Sequence, residues 1–147
     1  MGHIFVLDTG PAGKLAHPKA NLALSEWLLS HLRVGDVIVL PEIVDYELRR
    51  NFLLEIARGK SSFQKSLDRL DSLREVLTYL PLNSDVMRRA AQLWANARRQ
   101  GKPTADPKEL DGDVILAAQA LSVNGVIITE NIGHLTLFVE AKTGREA

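Results

Sequence analysis

Apolar residues fall along this chain in short solid runs, separated by longer stretches in which they recur every three or four positions. The solid runs are Ile4–Leu7, residues 37–40 and Val126–Ile128. Runs of this length with no polar alternation predict strands buried on both faces. Between them, Leu24, Trp27 and Leu28 mark a helix over residues 22–32, and Val44, Leu48, Phe52 and Ile56 mark one over 42–58. Phe63, Leu67, Leu70, Leu73 and Val76 form one stripe over 62–76, and Val86, Ala90, Leu93, Trp94 and Ala97 another over 83–99. Gly35 and Gly59 punctuate two of these ends. A further helix, residues 114–121, is apolar almost all round and is capped near Asp111. Residues 79–82 contain Pro81 and predict an edge strand, and residues 136–140 predict a last one. Residues 10–21, with Gly13 and Pro18, and residues 101–110, with two prolines, read as loops.

Buried strands alternating with helices predict a three-layer α/β/α fold with a mainly parallel central sheet. All strand C-terminal ends then lie on one edge, where such sheets bind their ligands. The length, 147 residues, fits one domain spanning the whole chain. At 46% hydrophobic and 24% charged, the composition is that of an ordinary globular protein. The absence of cysteine excludes disulfides, zinc ribbons, iron–sulfur clusters and a thiol nucleophile, and is compatible with a cytoplasmic protein. Eighteen basic and eighteen acidic side chains cancel, so a polyanion must be held by a local basic patch or a metal. No apolar run approaches the length of a membrane span, and Asp8 interrupts the first apolar run too early for a signal peptide.

With strand ends gathered on one edge, the positions of the acids become informative. Asp8 follows the first strand, and Glu42, Asp45 and Glu47 open the helix after the second. Asp111 and Asp113 open the helix before the Val126–Ile128 strand, and Glu130 and Asn131 follow that strand. Carboxylates gathered on one rim repel by roughly 4 kcal/mol per pair at about 4 Å and an effective dielectric near 20. Proton uptake or a cation relieves that repulsion. Oxygen donors without cysteine or paired histidine point to a hard ion, magnesium or manganese, and to phosphodiester hydrolysis. Each acid also has a plainer role. Asp8 serves as a turn residue, Glu42 and Asp45 as acids favoured by a helix dipole, Asp111 as an N-cap and Asn131 as a turn residue.

Taken in order, these segments resemble the PIN domain, the metal-dependent ribonuclease fold known from VapC-type toxins of toxin–antitoxin pairs. The first motif is Ile4-Phe-Val-Leu-Asp8-Thr9, and the second is PEIVDYELRR, in which Glu47 matches the family glutamate. The third is DGDVILAAQA, which puts Asp113 on the third acid, and the fourth is VIITEN, which supplies Thr129 and Asn131. The resemblance implies Asp8, Glu47 and Asp113 as the catalytic, metal-holding core, with Asp111 and Asn131 as further ligands and Thr9 and Thr129 in support. It also implies Mg2+ or Mn2+ as cofactor, RNA as substrate, a small antitoxin as partner, and a homodimer or higher oligomer. Two positions depart from the pattern. Asn131 stands where many relatives carry aspartate, which removes a charge, and Gly10 stands where many carry a polar residue.

Arg49 and Arg50 follow Glu47 within a turn and are the leading candidates for RNA phosphate contacts, ahead of Lys102 and Lys108. His3, His17, His31 and His134 show no paired metal spacing and read as surface or capping residues; Trp27 and Trp94 read as core. No nucleophile-elbow serine and no phosphate-cradling glycine loop with lysine occurs. The competing reading is a PIN fold with a weakened site, serving as an RNA-binding or protein-interaction module.

Overall fold

The computed structural model describes residues 2–19, 21–101, 111–130 and 141–142. The chain runs β1 (Ile4–Leu7), α1 (Thr9–Ala16), α2 (Leu22–Arg33), β2 (Val37–Pro41), α3 (Glu42–Ala57), α4 (Phe63–Val76) and β3 (Thr78–Leu80). It continues through α5 (Ser84–Arg99), α6 (Gly112–Ser122), β4 (Val126–Ile128) and β5 (Ala141–Lys142). The strands form one sheet in the order β3-β2-β1-β4-β5, and every pairing is parallel. Phe5 of β1 pairs with Ile38 on one side and Val126 on the other. Val6, Leu7, Ile38, Leu40, Ile127 and Ile128 are at most 1% exposed, as solid apolar runs require when helices cover both faces.

The strand order locates the ligand edge more narrowly. From β1 the chain steps outward to β2 and β3, then jumps back past β1 to β4. Right-handed crossovers therefore place α1 to α4 on one face and α5 and α6 on the other. Between β1 and β4 the connections leave in opposite directions, so the crevice beyond their carboxyl ends lies at the switch point of the sheet. Asp8 and Thr129 are the first residues past those two ends.

One polar side chain ties the layers together. Gln119 of α6 is fully buried, donates from Nε2 to the Leu80 carbonyl (2.8 Å) and accepts from the Ile43 N–H (3.3 Å). It thereby satisfies an otherwise orphaned amide in the first turn of α3 and the end of β3. Removing it would leave each group unpaired in the core, at about 1–3 kcal/mol apiece.

The segment read as a loop at 10–21 is helical through Ala16. Asp8 caps α1 by accepting from the Thr9 N–H (2.7 Å), and Pro11 falls in the first turn, where its missing N–H costs nothing. Its glycines serve packing. A Cβ on Gly13 would press on Leu48 of α3 at 3.3 Å, and one on Gly10 would meet the Glu130 side chain at 3.1 Å. The edge strand expected at 79–82 is β3, displaced to Thr78–Leu80, with Pro81 just beyond it. The strand expected at 136–140 and the loop expected at 101–110, apart from Gly101, lie outside the described residues. The described strand on that edge is β5.

Candidate functional site

The centre of the switch-point crevice is Asp8. Its N–H continues the sheet by donating to the Ile128 carbonyl (2.9 Å), which fixes the backbone from which the side chain springs. Its two carboxylate oxygens are held from different sides. Oδ1 accepts from the Thr9 N–H at 2.7 Å, with the Thr9 hydroxyl at 3.4 Å, and Oδ2 accepts from the Thr129 hydroxyl at 2.6 Å. Thr129 is 1% exposed, and its own N–H donates to the Lys142 carbonyl of β5 (2.9 Å). Asp8, read from the sequence as a turn residue or a rim acid, caps a helix and stands at the mouth of the crevice.

Glu47 lies one turn into α3 and rests against the start of α6. A Cβ on Gly112 would land on its carboxylate, so the absence of a side chain there is what admits Glu47. Gly112 is flanked by Asp111 and Asp113. Asp111 caps α6, its Oδ1 accepting from the N–H groups of Asp113 (3.1 Å) and Val114 (3.3 Å). Its Oδ2 is buried with no hydrogen-bond partner. Burial raises Glu47's pKa above the ordinary carboxylate value; the Arg50 charge opposes this, and Asp113, Asp8 and Asp111 each push it higher. Three acids from two other segments therefore act on Glu47 at this rim.

Other sequence candidates sit elsewhere. Glu42 accepts from the Leu82 N–H (2.7 Å), and buried Asp45 accepts from the Tyr79 hydroxyl (3.1 Å) and from Arg49 (3.0 Å). These two acids brace β3 against α3. Arg49 also pairs with Asp71 of α4 at 2.7 Å, so its guanidinium bridges two helices. Arg50 is the arginine whose charge reaches Glu47, and it stacks on Tyr46 with Cζ 5.3 Å from the ring centre. The Glu130 carboxylate pairs with Lys14 of α1. His31 and the backbone of His3 both bond Asp36, which immediately precedes β2 and so lies at the opposite edge of the sheet. Trp27 and Trp94 pack against the core as expected. Asn131, Lys102, Lys108 and His134 lie outside the described residues.

The donors suit a hard divalent cation in kind: all are oxygens, one is buried without a partner, and the charge of another, Glu47, is disfavoured by burial and by neighbouring acids. Among the described residues, no three acidic or histidine side chains are gathered closely enough to form a finished ligand cage. A cation would therefore draw the rim together.

The raised pKa of Glu47 has a checkable sign. The folded state holds this proton more tightly than the unfolded chain, so stability falls as pH rises from about 4.3, the unfolded value, through the higher folded one. Glu47→Gln is expected to raise the melting temperature of metal-free protein at neutral pH, with the gain shrinking as the pH approaches 4. Melting curves across that range check it, and identical curves for both proteins would remove Glu47 from the acidic cluster.

A family model for the PIN domain matches residues 5–135. The fold is that of several solved structures. A chain of VapBC2 from Rickettsia felis, crystallised on a DNA fragment from their promoter, superposes with a TM-score of 0.73 at 17% identity, covering 95% of this chain and 98% of that one. For FitAcB from Neisseria gonorrhoeae the TM-score is 0.72 at 22% identity, with 97% and 99% covered. For VapBC-5 of Mycobacterium tuberculosis, a member of the VapBC family of toxin-antitoxin systems, it is 0.62 at 21%, with 95% and 96% covered. Comparison with curated proteins returns no match. The family match over nearly the whole length, on a chain whose parallel sheet is that of these solved structures, establishes that it belongs to the PIN domain family.

Proposed function

We propose that this chain is a Mg2+- or Mn2+-dependent endoribonuclease that hydrolyses RNA phosphodiesters, and that it is the toxin of a toxin–antitoxin pair. The observation that carries the reading is the Glu47 carboxyl, raised by burial and pushed higher by Asp113, Asp8 and Asp111, beside a buried Asp111 oxygen with no hydrogen-bond partner. Asp8, Glu47 and Asp113 would hold the ion, with Asp111 and Asn131 as further ligands. The bound ion would activate water and offset charge on the leaving oxygen. The protein's own contribution is positional. Thr129 and Thr9 fix both oxygens of Asp8, and bare Gly112 lets Glu47 approach the α6 terminus. Arg50 supplies positive charge beside a rim that would otherwise repel a polyanion.

The pairing with an antitoxin rests on the shared fold with VapBC and FitAcB chains. On this reading the partner is a small protein, the toxin assembles as a homodimer or higher oligomer, and both act in the cytoplasm. No helix among the described residues is long and apolar enough to cross a membrane.

The test is cleavage of labelled single-stranded RNA by the purified chain, with manganese or with chelator, beside an identically prepared Asp113→Asn protein. Cutting that needs manganese and is lost in the variant supports the reading. Equal cutting by both proteins would mean contamination. Absence of cutting by folded protein, on single-stranded and structured RNA alike, would overturn it in favour of a binding module.

A further inference from the structure

A groove of about 380 Å³ runs along the outer face of α1, lined by Gly10, Gly13, Lys14, His17, Lys19 and Asn21. It opens at Gly10, two residues past Asp8, and so adjoins the acidic crevice. Its floor at Gly10 and Gly13 is bare backbone, because Cβ atoms there would press on Glu130 and Leu48. Its polar side chains present donors. Lys14 and Lys19 carry ammonium groups, which only donate. His17 accepts the Lys19 N–H on Nδ1 (3.0 Å), so its neutral ring carries the proton on Nε2. Asn21 spends its oxygen on the Leu24 N–H (3.0 Å), leaving its NH2 to donate. A groove that offers donors and positive charge, in a chain of zero net charge, is the complement of an anion. Its volume is at the small end of ligand sites, about 300–1,000 Å³.

Cations near the end of α1 also complement the helix dipole. The dipole does not explain why Lys14 is paired across the groove mouth with Glu130, which directly follows the threonine that holds Asp8. A carboxylate is the nearest side-chain analogue of a phosphate. We propose that the α1 groove binds the phosphodiester backbone of the RNA strand flanking the cleaved bond, with Lys14 as its anchor and Glu130 as the carboxylate that occupies Lys14 until RNA replaces it. RNA as the occupant rests on the ribonuclease reading. Lys14 and Glu130 are positioning residues in this scheme, outside the acidic rim.

The two residues should then act on RNA affinity with opposite signs. The probe is a short, fluorescein-labelled single-stranded RNA of mixed sequence, titrated by anisotropy against the full-length chain carrying Asp113→Asn to prevent cutting. Lys14→Ala should weaken binding about fivefold and lower the salt slope by about one. Glu130→Gln should tighten binding about threefold when Lys14 is present and give no such gain when Lys14 is alanine. Melting curves confirm that each variant is folded. Affinity indifferent to Lys14, an equal Glu130→Gln gain in both backgrounds, or no binding at all would each overturn the proposal. Failure of the ribonuclease reading looks different: RNA bound in a Lys14-dependent way and left uncut. Cutting with no dependence on Lys14 would spare that reading and remove the groove.

Discussion

The Gly112→Ala protein is expected to fold normally and, on the ribonuclease reading, to lose about 100-fold or more of the proposed manganese-dependent RNA cleavage. A Cβ at residue 112 would coincide with the Glu47 carboxylate and lie 3.0 Å from its Cδ. The obstruction is the far end of a flexible side chain, so Glu47 swings aside and the backbone is undisturbed. Helix propensity favours the new residue, alanine being better than glycine by up to about 1 kcal/mol, so stability should hold or rise. What changes is the place of one carboxylate, and displacement of a reacting group by about 1 Å can cost a hundredfold in rate. Cleavage assays with thermal melts check both halves. Full activity in a folded Gly112→Ala protein would show that Glu47 has no part in the reaction.

On the same reading, Thr129→Val is expected to lower the proposed cleavage by roughly 10–100-fold and to raise the manganese concentration needed for half-maximal rate, the usual range for losing a group that orients a ligand. Valine matches threonine in shape, and residue 129 is buried, so packing is kept. The hydroxyl bonded to Asp8 Oδ2 at 2.6 Å is lost. With Oδ1 still held by the Thr9 N–H, Asp8 remains the cap of α1 but can rotate about that bond. Metal titrations of the rate distinguish a misoriented ligand from a damaged fold: excess manganese should restore part of the activity. A rate that no manganese restores, in a protein that melts early, would assign Thr129 to stability alone.

What was legible in the sequence was what depends on local pattern. Short unalternating apolar runs marked β1, β2 and β4, and the first polar residues after two of them, Asp8 and Thr129, meet in the fold because those strands are neighbours. Among the acids of α3, pattern set Glu42 and Asp45 apart from Glu47 as dipole acids but could not name what holds them. Tyr79 and Leu82, more than thirty positions away, claim those two. Helix α1 was hidden because glycine and proline have two uses. Gly10, Gly13 and Pro11 carry the composition of a turn, yet here proline sits in a first turn and the glycines admit Glu130 and Leu48. Gly112 was hidden for the same reason, since nothing chemical marks a residue whose contribution is the side chain it lacks. Arg49 and Arg50 are neighbours in sequence, and their partners separate them: Asp45 and Asp71 of α4 for Arg49, the Tyr46 ring for Arg50.

The bond between Thr129 and Asp8 joins residues 121 positions apart, and Thr129 is itself held by the carbonyl of Lys142. A polypeptide is made from its N-terminus, and a single domain folds as a unit. A growing chain that has delivered β1 and α3 owns Asp8 and Glu47, but has neither the α6 carboxylates nor the hydroxyl that aims Asp8. Even a chain complete through β4 still wants the strand that holds Thr129. On the ribonuclease reading, the carboxylates and the hydroxyl that aims Asp8 come together only once β4 and β5 have both been made.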